Sequence, residues 1–136
     1  MKKAASVLLS FVLFGCAASG DNFSGFKKPQ GDNGMVYVYR PHQFIGGGAS
    51  FKVSIDDAVL GVLRNGGYLE KEIPAGVHFV TSNTEVSRVL KVDVPKSGFS
   101  CVKLEPAMGL LVARPIFSAV DNDTCAFEIK NTKKSE

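Results

Sequence analysis

From Met35 onward this chain is a succession of short β-branched and aromatic runs parted by turn residues, with no window of sustained helical period. That pattern restricts the fold more than any other feature of the sequence. MVYVYR sets Val36 and Val38 against Tyr37 and Tyr39, a two-residue period. SFKVSID places Phe51, Val53 and Ile55 on one face, with Lys52, Ser54 and Asp56 on the other. Asp56-Asp57 reads as a turn into AVLGVLR. Asn65-Gly66 then predicts a hairpin into YLEKEI, because a two-residue turn of that kind needs positive φ at both central positions. Pro74-Ala75-Gly76 makes the next turn, VHFVTS and SRVLKVDV pair through Asn83-Thr84, and Pro95-Lys96-Ser97-Gly98 leads into FSCVKLE. Pro106 and Gly109 interrupt before LLVAR, and CAFEIK closes the series; AMGLLVA, within residues 107–120, also reads as a short helical turn. About eight or nine strands at a spacing of about 8–12 residues predict an all-β domain, an antiparallel sandwich or a barrel. The sandwich is the expectation adopted, over residues 35–130, with a polar tail at 131–136.

The first residues follow a different logic. Lys2 and Lys3 precede AASVLLSFVLF, an 11-residue stretch at 4–14 that is apolar apart from its serines. That length fits the core of a signal peptide and falls short of the roughly 20 residues a membrane-spanning helix needs. A buried helix of the domain is the competing reading, disfavoured by the basic start and the polar segment that follows. Leu13-Phe14-Gly15-Cys16 resembles a bacterial lipobox, departing from the commonest pattern at Phe14. The resemblance implies cleavage after residue 15, a diacylglycerol on the Cys16 thiol and an acylated (palmitate-type) amine, an anchor of two or three chains that holds durably. An ordinary secretory signal is the alternative. Ala17 stands where an aspartate usually retains such proteins at the inner membrane. The expected place is therefore the outer membrane, with the domain facing the periplasm. Residues 17–34, AASGDNFSGFKKPQGDNG, read as a flexible tether with a root-mean-square reach of about 23 Å. Segments 1–15, 16–34, 35–130 and 131–136 are thus expected as signal peptide, lipidated cysteine with tether, sandwich and tail.

With Cys16 assigned to lipid, Cys101 and Cys125 are left as an even pair in an exported chain, where disulfides persist. Two free thiols or a metal site are the alternatives. The metal reading is poorly supported, because there is no Cys-x-x-Cys and the only histidines, His42 and His78, are distant in sequence. Charge excludes another class of partner. Without Lys2 and Lys3, 14 basic residues face 13 acidic ones, no footprint for a nucleic acid. Lys27-Lys28 and Lys133-Lys134 read as solvated tails.

The stretch VYVYRPHQFIGGGASFKVSIDDAVLGVLRNGGYLEKEIPAGVHFV, residues 36–80, resembles the small proteobacterial lipoproteins grouped as the domain-of-unknown-function 2846 family. The features that carry the likeness are Tyr39-Arg40-Pro41, the Gly46-Gly47-Gly48 loop, Asn65-Gly66-Gly67-Tyr68 and Pro74-Ala75-Gly76-Val77-His78, the last with substitutions around its glycine. The middle part is also similar to PEGA-type β-sandwich repeats of envelope proteins. The resemblance covers about a third of the chain and implies a fold and a compartment, not an activity.

Chemistry-bearing constellations are sparse. Gly46 to Gly48 lack the Lys-Ser/Thr and helix start of a phosphate cradle. Asp56 and Asp57, adjacent on an extended chain, point to opposite faces and suit a turn. Asp121-Asn122-Asp123 lacks the glycine and closing glutamate of a calcium loop and also suits a turn. His78, between Val77 and Phe79, is expected to face solvent or cap a sheet edge, and no Gly-x-Ser-x-Gly is present. Arg40 with Tyr37, Tyr39 and Tyr68 is the most interesting set. Either it forms a cationic and aromatic patch for a partner, or Arg40 pairs with a carboxylate while the tyrosines pack across strands. Arg40, His42, Gly46, Gly47, Gly48 and Tyr68 are the candidate binding surface. The expectation is a non-catalytic envelope lipoprotein with no cofactor or metal, serving as a structural, adaptor or protein-binding module. A binder of small ligands or glycans through the 41–50 loop is the alternative, and a periplasmic hydrolase the least favoured.

Overall fold

The computed structural model describes residues 17–136. The expected signal segment, residues 1–15, and Cys16 lie outside the described residues. The chain folds as an all-β sandwich with one short helix. Its strands are β1 (Asn33–Tyr39), β2 (Phe51–Ile55), β3 (Ala58–Leu63), β4 (Gly67–Pro74), β5 (Gly76–Asn83), β6 (Ser87–Val94), β7 (Phe99–Ala107), β8 (Arg114–Val120) and β9 (Lys133–Lys134), with α1 (Asn122–Ile129) before the last. One sheet runs β8-β7-β1-β4-β9 and the other β3-β2-β5-β6. The pairings are not purely antiparallel, since β1 runs parallel to β7 and β4 to β9.

Alternation decides which side chains meet. Val36 and Val38 of β1 join Leu69, Ile73, Val102 and Leu104 of the same sheet and face Phe51, Val53, Val80 and Val92 across the sandwich. The other face of the five-stranded sheet is buried too. There Met35, Tyr37, Tyr39, Tyr68 and Cys101 pack with Cys125 and Ile129 of α1 and with Phe23, Phe26 and Phe99. Both faces of β1 are therefore covered, which is why its sequence carries no polar alternate.

Several expectations are corrected. Asn65-Gly66 turns the chain but joins no hairpin, because β3 and β4 belong to different sheets. Only Gly66 takes positive φ there (66°), while the Asn65 side chain is committed to the backbone of Gln43. The two-residue turn with positive φ at both positions is Asp56-Asp57, at 48° and 65°, between β2 and β3. Pro74 to Gly76 and Pro95 to Gly98 likewise cross between sheets, whereas β5 and β6 do form the expected hairpin. LLVAR is a loop up to Ala113, and the strand begins at Arg114.

CAFEIK is helical rather than a strand. Asp121 caps α1, its carboxylate accepting from Thr124 N at 2.8 Å, and the buried positions Cys125 and Ile129 are four apart. Phe127, which made the run look alternating, is exposed. The 17–34 segment is not a free tether. Ala18 N donates to Asn65 O, Gly20 N to Lys134 O and Phe23 N to Thr132 O, and Phe26 stacks on Phe99 at 4.0 Å. Two phenylalanines with nowhere else to go pull the segment down the outer face. Lys27 accordingly pairs with Glu70, and the expected tail supplies β9 with buried Thr132 and Ser135.

Candidate functional site

Because β1 and β7 are parallel, their C-terminal ends emerge at the same end of the sandwich. The 40–50 and 108–113 connections leave from there. Asn65, the β5–β6 turn and the C-terminus of α1 gather at that end as well. This end holds most of the candidate surface.

Arg40 does not belong to that surface. It is fully buried, and among the described residues no carboxylate pairs with it. Its guanidinium donates from Nη1 to Ala49 O and from Nη2 to Gly46 O, both at 2.6 Å, and lies 5.4 Å from the centre of the Phe51 ring. Burial lowers its pKa. A cation held only by carbonyl dipoles and an aromatic face acts as a clasp on the 40–50 loop. Gly46, at φ 75°, makes the turn that presents its carbonyl, and a Cβ on Gly47 would sit 2.7 Å from Gln43 O. Gly48 has open space around it. Tyr68 is also buried, beneath Phe23 and opposite Tyr39 in the register, so the tyrosines do pack across strands.

His42 is exposed and lines an open cleft of about 380 Å³ beside α1. Lys103, Glu105, Phe127, Glu128 and Asn131 form much of its wall. Lys103 Nζ lies 3.0 Å from Glu128 Oε1 and 3.7 Å from Glu105 Oε1, and the Tyr39 hydroxyl donates to Glu128 Oε2. Burial, reinforced by Glu128, raises the Tyr39 pKa far above its ordinary value. Burial opposes charge on Lys103 and Glu128 as well, but the Glu128 bond raises Lys103 and the Tyr39 and Lys103 bonds lower Glu128, so Lys103 titrates higher and Glu128 lower than usual. Lys103 is shared by two carboxylates, so the wall keeps a net negative charge on the half-exposed Glu105 beside the Phe127 ring face. No local motif foretells this wall, since β7 and α1 meet only through tertiary packing.

Cys101 and Cys125 form a disulfide, with their Cα atoms 6.2 Å apart, joining β7 to α1. At the opposite end, His78 is largely buried rather than solvent-facing. Its Nδ1 meets Asp56 Oδ2 and its Nε2 meets Pro74 O at 2.6 Å, while Phe79 N donates to Asp56 Oδ1. Burial lowers the His78 pKa, but the Asp56 and Pro74 bonds prevail and the net shift is upward; the His78 bond in turn depresses Asp56. Among the described residues no group of three or more His, Cys, Asp or Glu side chains is placed to hold a metal, and no helix is long and apolar enough to cross a membrane. The chain matches no protein-family model, no curated protein and no solved structure.

Proposed function

We propose that this chain is a lipid-anchored protein of the cell envelope whose β-sandwich is a non-catalytic structural, adaptor or protein-binding module. One observation carries the reading. Leu13-Phe14-Gly15-Cys16 ends a basic, apolar leader of signal-peptide length, and the two remaining cysteines pair with each other. Ala17 after the cysteine favours the outer membrane, and the motifs within 36–80 that resemble the domain-of-unknown-function 2846 lipoproteins and PEGA-type sandwiches point to the same compartment. Cells expressing the chain and fed radiolabelled palmitate test the anchor. Label is expected in the wild type and absent from Cys16→Ala; equal labelling of the two, or none in either, overturns it.

A second reading, a small-ligand or glycan binder, draws on the cleft beside His42 and Phe127. Titration with oligosaccharide fragments, followed by amide shifts of His42, Gln43 and Asn131, tests it. Saturable shifts confined to those residues support it, and an unmoved spectrum removes it.

A further inference from the structure

The end of the sandwich that carries Arg40 also carries the largest concentration of exposed apolar side chains. Phe44 is 97% exposed and Ile45 81%, side by side on the 40–50 loop. Met108, Leu110 and Leu111 are 90%, 87% and 93% exposed on the 108–113 loop. The two loops leave adjacent parallel strands, and a Cβ on Gly46 would lie 3.0 Å from the Pro106 ring. Five bulky apolar groups facing water at one tip require an occupant.

Both loops are built to present these side chains. Arg40 clasps the carbonyls of Gly46 and Ala49, and Asn65 exchanges two hydrogen bonds with the Gln43 backbone, at 2.9 and 2.8 Å. Glu85 accepts from Leu111 N and Val112 N, each at 3.1 Å, and pairs with Arg114 at 3.3 Å. The carboxylate closest to the second loop is thereby consumed within the protein.

The point where the described chain begins says what covers the tip. It begins at Ala17, which forms a parallel bridge with Asn65, the same residue that braces Gln43 next to Phe44. Residues 18–32 run away from that end, down the outer face of the five-stranded sheet. Cys16 precedes Ala17 by one peptide bond, so the chain enters the fold at the end that carries the apolar tip. We propose that the Phe44-Ile45 and Met108–Leu111 loops seat in the bilayer interface beside the lipid on Cys16, so that the domain stands tip-down on the membrane. This rests on the lipid-anchor reading. An apolar surface at that position enters the boundary of headgroups and acyl chains, about 5–10 Å deep.

The chain contains no tryptophan, so a single one is a clean reporter. Full-length lipidated protein carrying Phe44→Trp, Leu111→Trp or, at the far end of β5, Val77→Trp is reconstituted into vesicles of phosphatidylethanolamine and phosphatidylglycerol doped with brominated lipid. All three sites are at least half exposed, so the substitutions leave the core intact. Bromine quenching at positions 44 and 111 is expected to exceed that at 77 by about twofold or more. Equal quenching at all three sites, with the protein co-floating with vesicles, overturns the tip-down placement and leaves the anchor standing. Failure to co-float overturns both. Blue-shifted but unquenched emission from the Phe44→Trp and Leu111→Trp variants that rises with protein concentration assigns the tip to a second copy and overturns the proposal.

Discussion

Cys125, in the first half of a two-turn helix, is bonded to the buried Cys101 near the start of β7, and three residues later Glu128 accepts from Tyr39 on the neighbouring strand. The bond spans 24 residues, and α1 has no buried apolar residue besides Cys125 and Ile129. Isolated helices of this length are not stable in water, so α1 depends on these attachments. Closing such a loop contributes about 3.5 kcal/mol on the chain-entropy account. The Cys101→Ala/Cys125→Ala double variant is therefore expected to lose about 2–4 kcal/mol in urea unfolding, with α1 amides exchanging first in hydrogen-exchange measurements. An unchanged midpoint would count against this role.

Arg40→Lys keeps the charge but gives up the planar fork that reaches Gly46 and Ala49 together. The expected cost is about 1.5–3 kcal/mol, with faster proteolysis between residues 43 and 49. Arg40→Met, which removes the buried charge, is expected to cost less than Arg40→Ala, as loop carbonyls then lose a donor without leaving a void. Urea midpoints of the three variants order them.

The His78–Asp56 pair makes stability depend on pH. His78 titrates above its ordinary 6.5, so its contribution is complete below 6.5 and is lost as pH rises through the raised folded value. Asp56 titrates below 3.8, so its contribution is complete above 3.8 and is lost as pH falls through the depressed value. The pair stabilises most between these limits. Because Asp56 is half exposed, the effect is under about 1 kcal/mol. Melting temperatures of the wild type and His78→Asn should diverge most between pH 3.8 and 6.5 and converge as pH rises through the raised His78 value; a difference independent of pH would refute the coupling.

Asp57 holds φ at 65°, a region that β-branched residues avoid. Asp57→Val is expected to cost about 1–2 kcal/mol, and Asp57→Gly to be neutral within about 1 kcal/mol. Thermal unfolding of the two variants separates backbone strain from loss of the carboxylate, which would penalise both alike.

Phe26 stacks on Phe99 and meets Tyr37 edge-on at 5.1 Å. Phe26→Ala should free the 19–32 segment, cost about 1.5–3 kcal/mol and expose the Lys27–Lys28 bond to rapid tryptic cleavage. Equal cleavage of wild type and variant would restore the tether.

What was legible before folding was local. Two-residue alternation at Val36–Tyr39 and Phe51–Ile55, the Asp56-Asp57 turn and the Asn83-Thr84 hairpin follow from pleat geometry and φ preferences, which neighbours in sequence control. The even pair Cys101 and Cys125 was likewise legible from residue counting. Partner choice was not. Asn65-Gly66 specifies a turn but not whether the next strand stays in the same sheet. Cys125-Phe127-Ile129 fits a strand period as well as Cys125-Ile129 fits a helix, and the Asp121 cap with the disulfide decides between them.

The sequence by itself thus determined most of the strand content, the all-β class and a cysteine, Cys16, at the end of an apolar run. Only tertiary structure decided that Arg40 is an interior clasp and that Tyr68 is covered. It also folded the 17–32 segment onto the sheet, which brings Ala17 beside Asn65. Each of those outcomes depends on groups distant along the chain competing to cover one surface. The outer face of β1 needed cover, and Phe23, Phe26 and α1 were the apolar groups within reach.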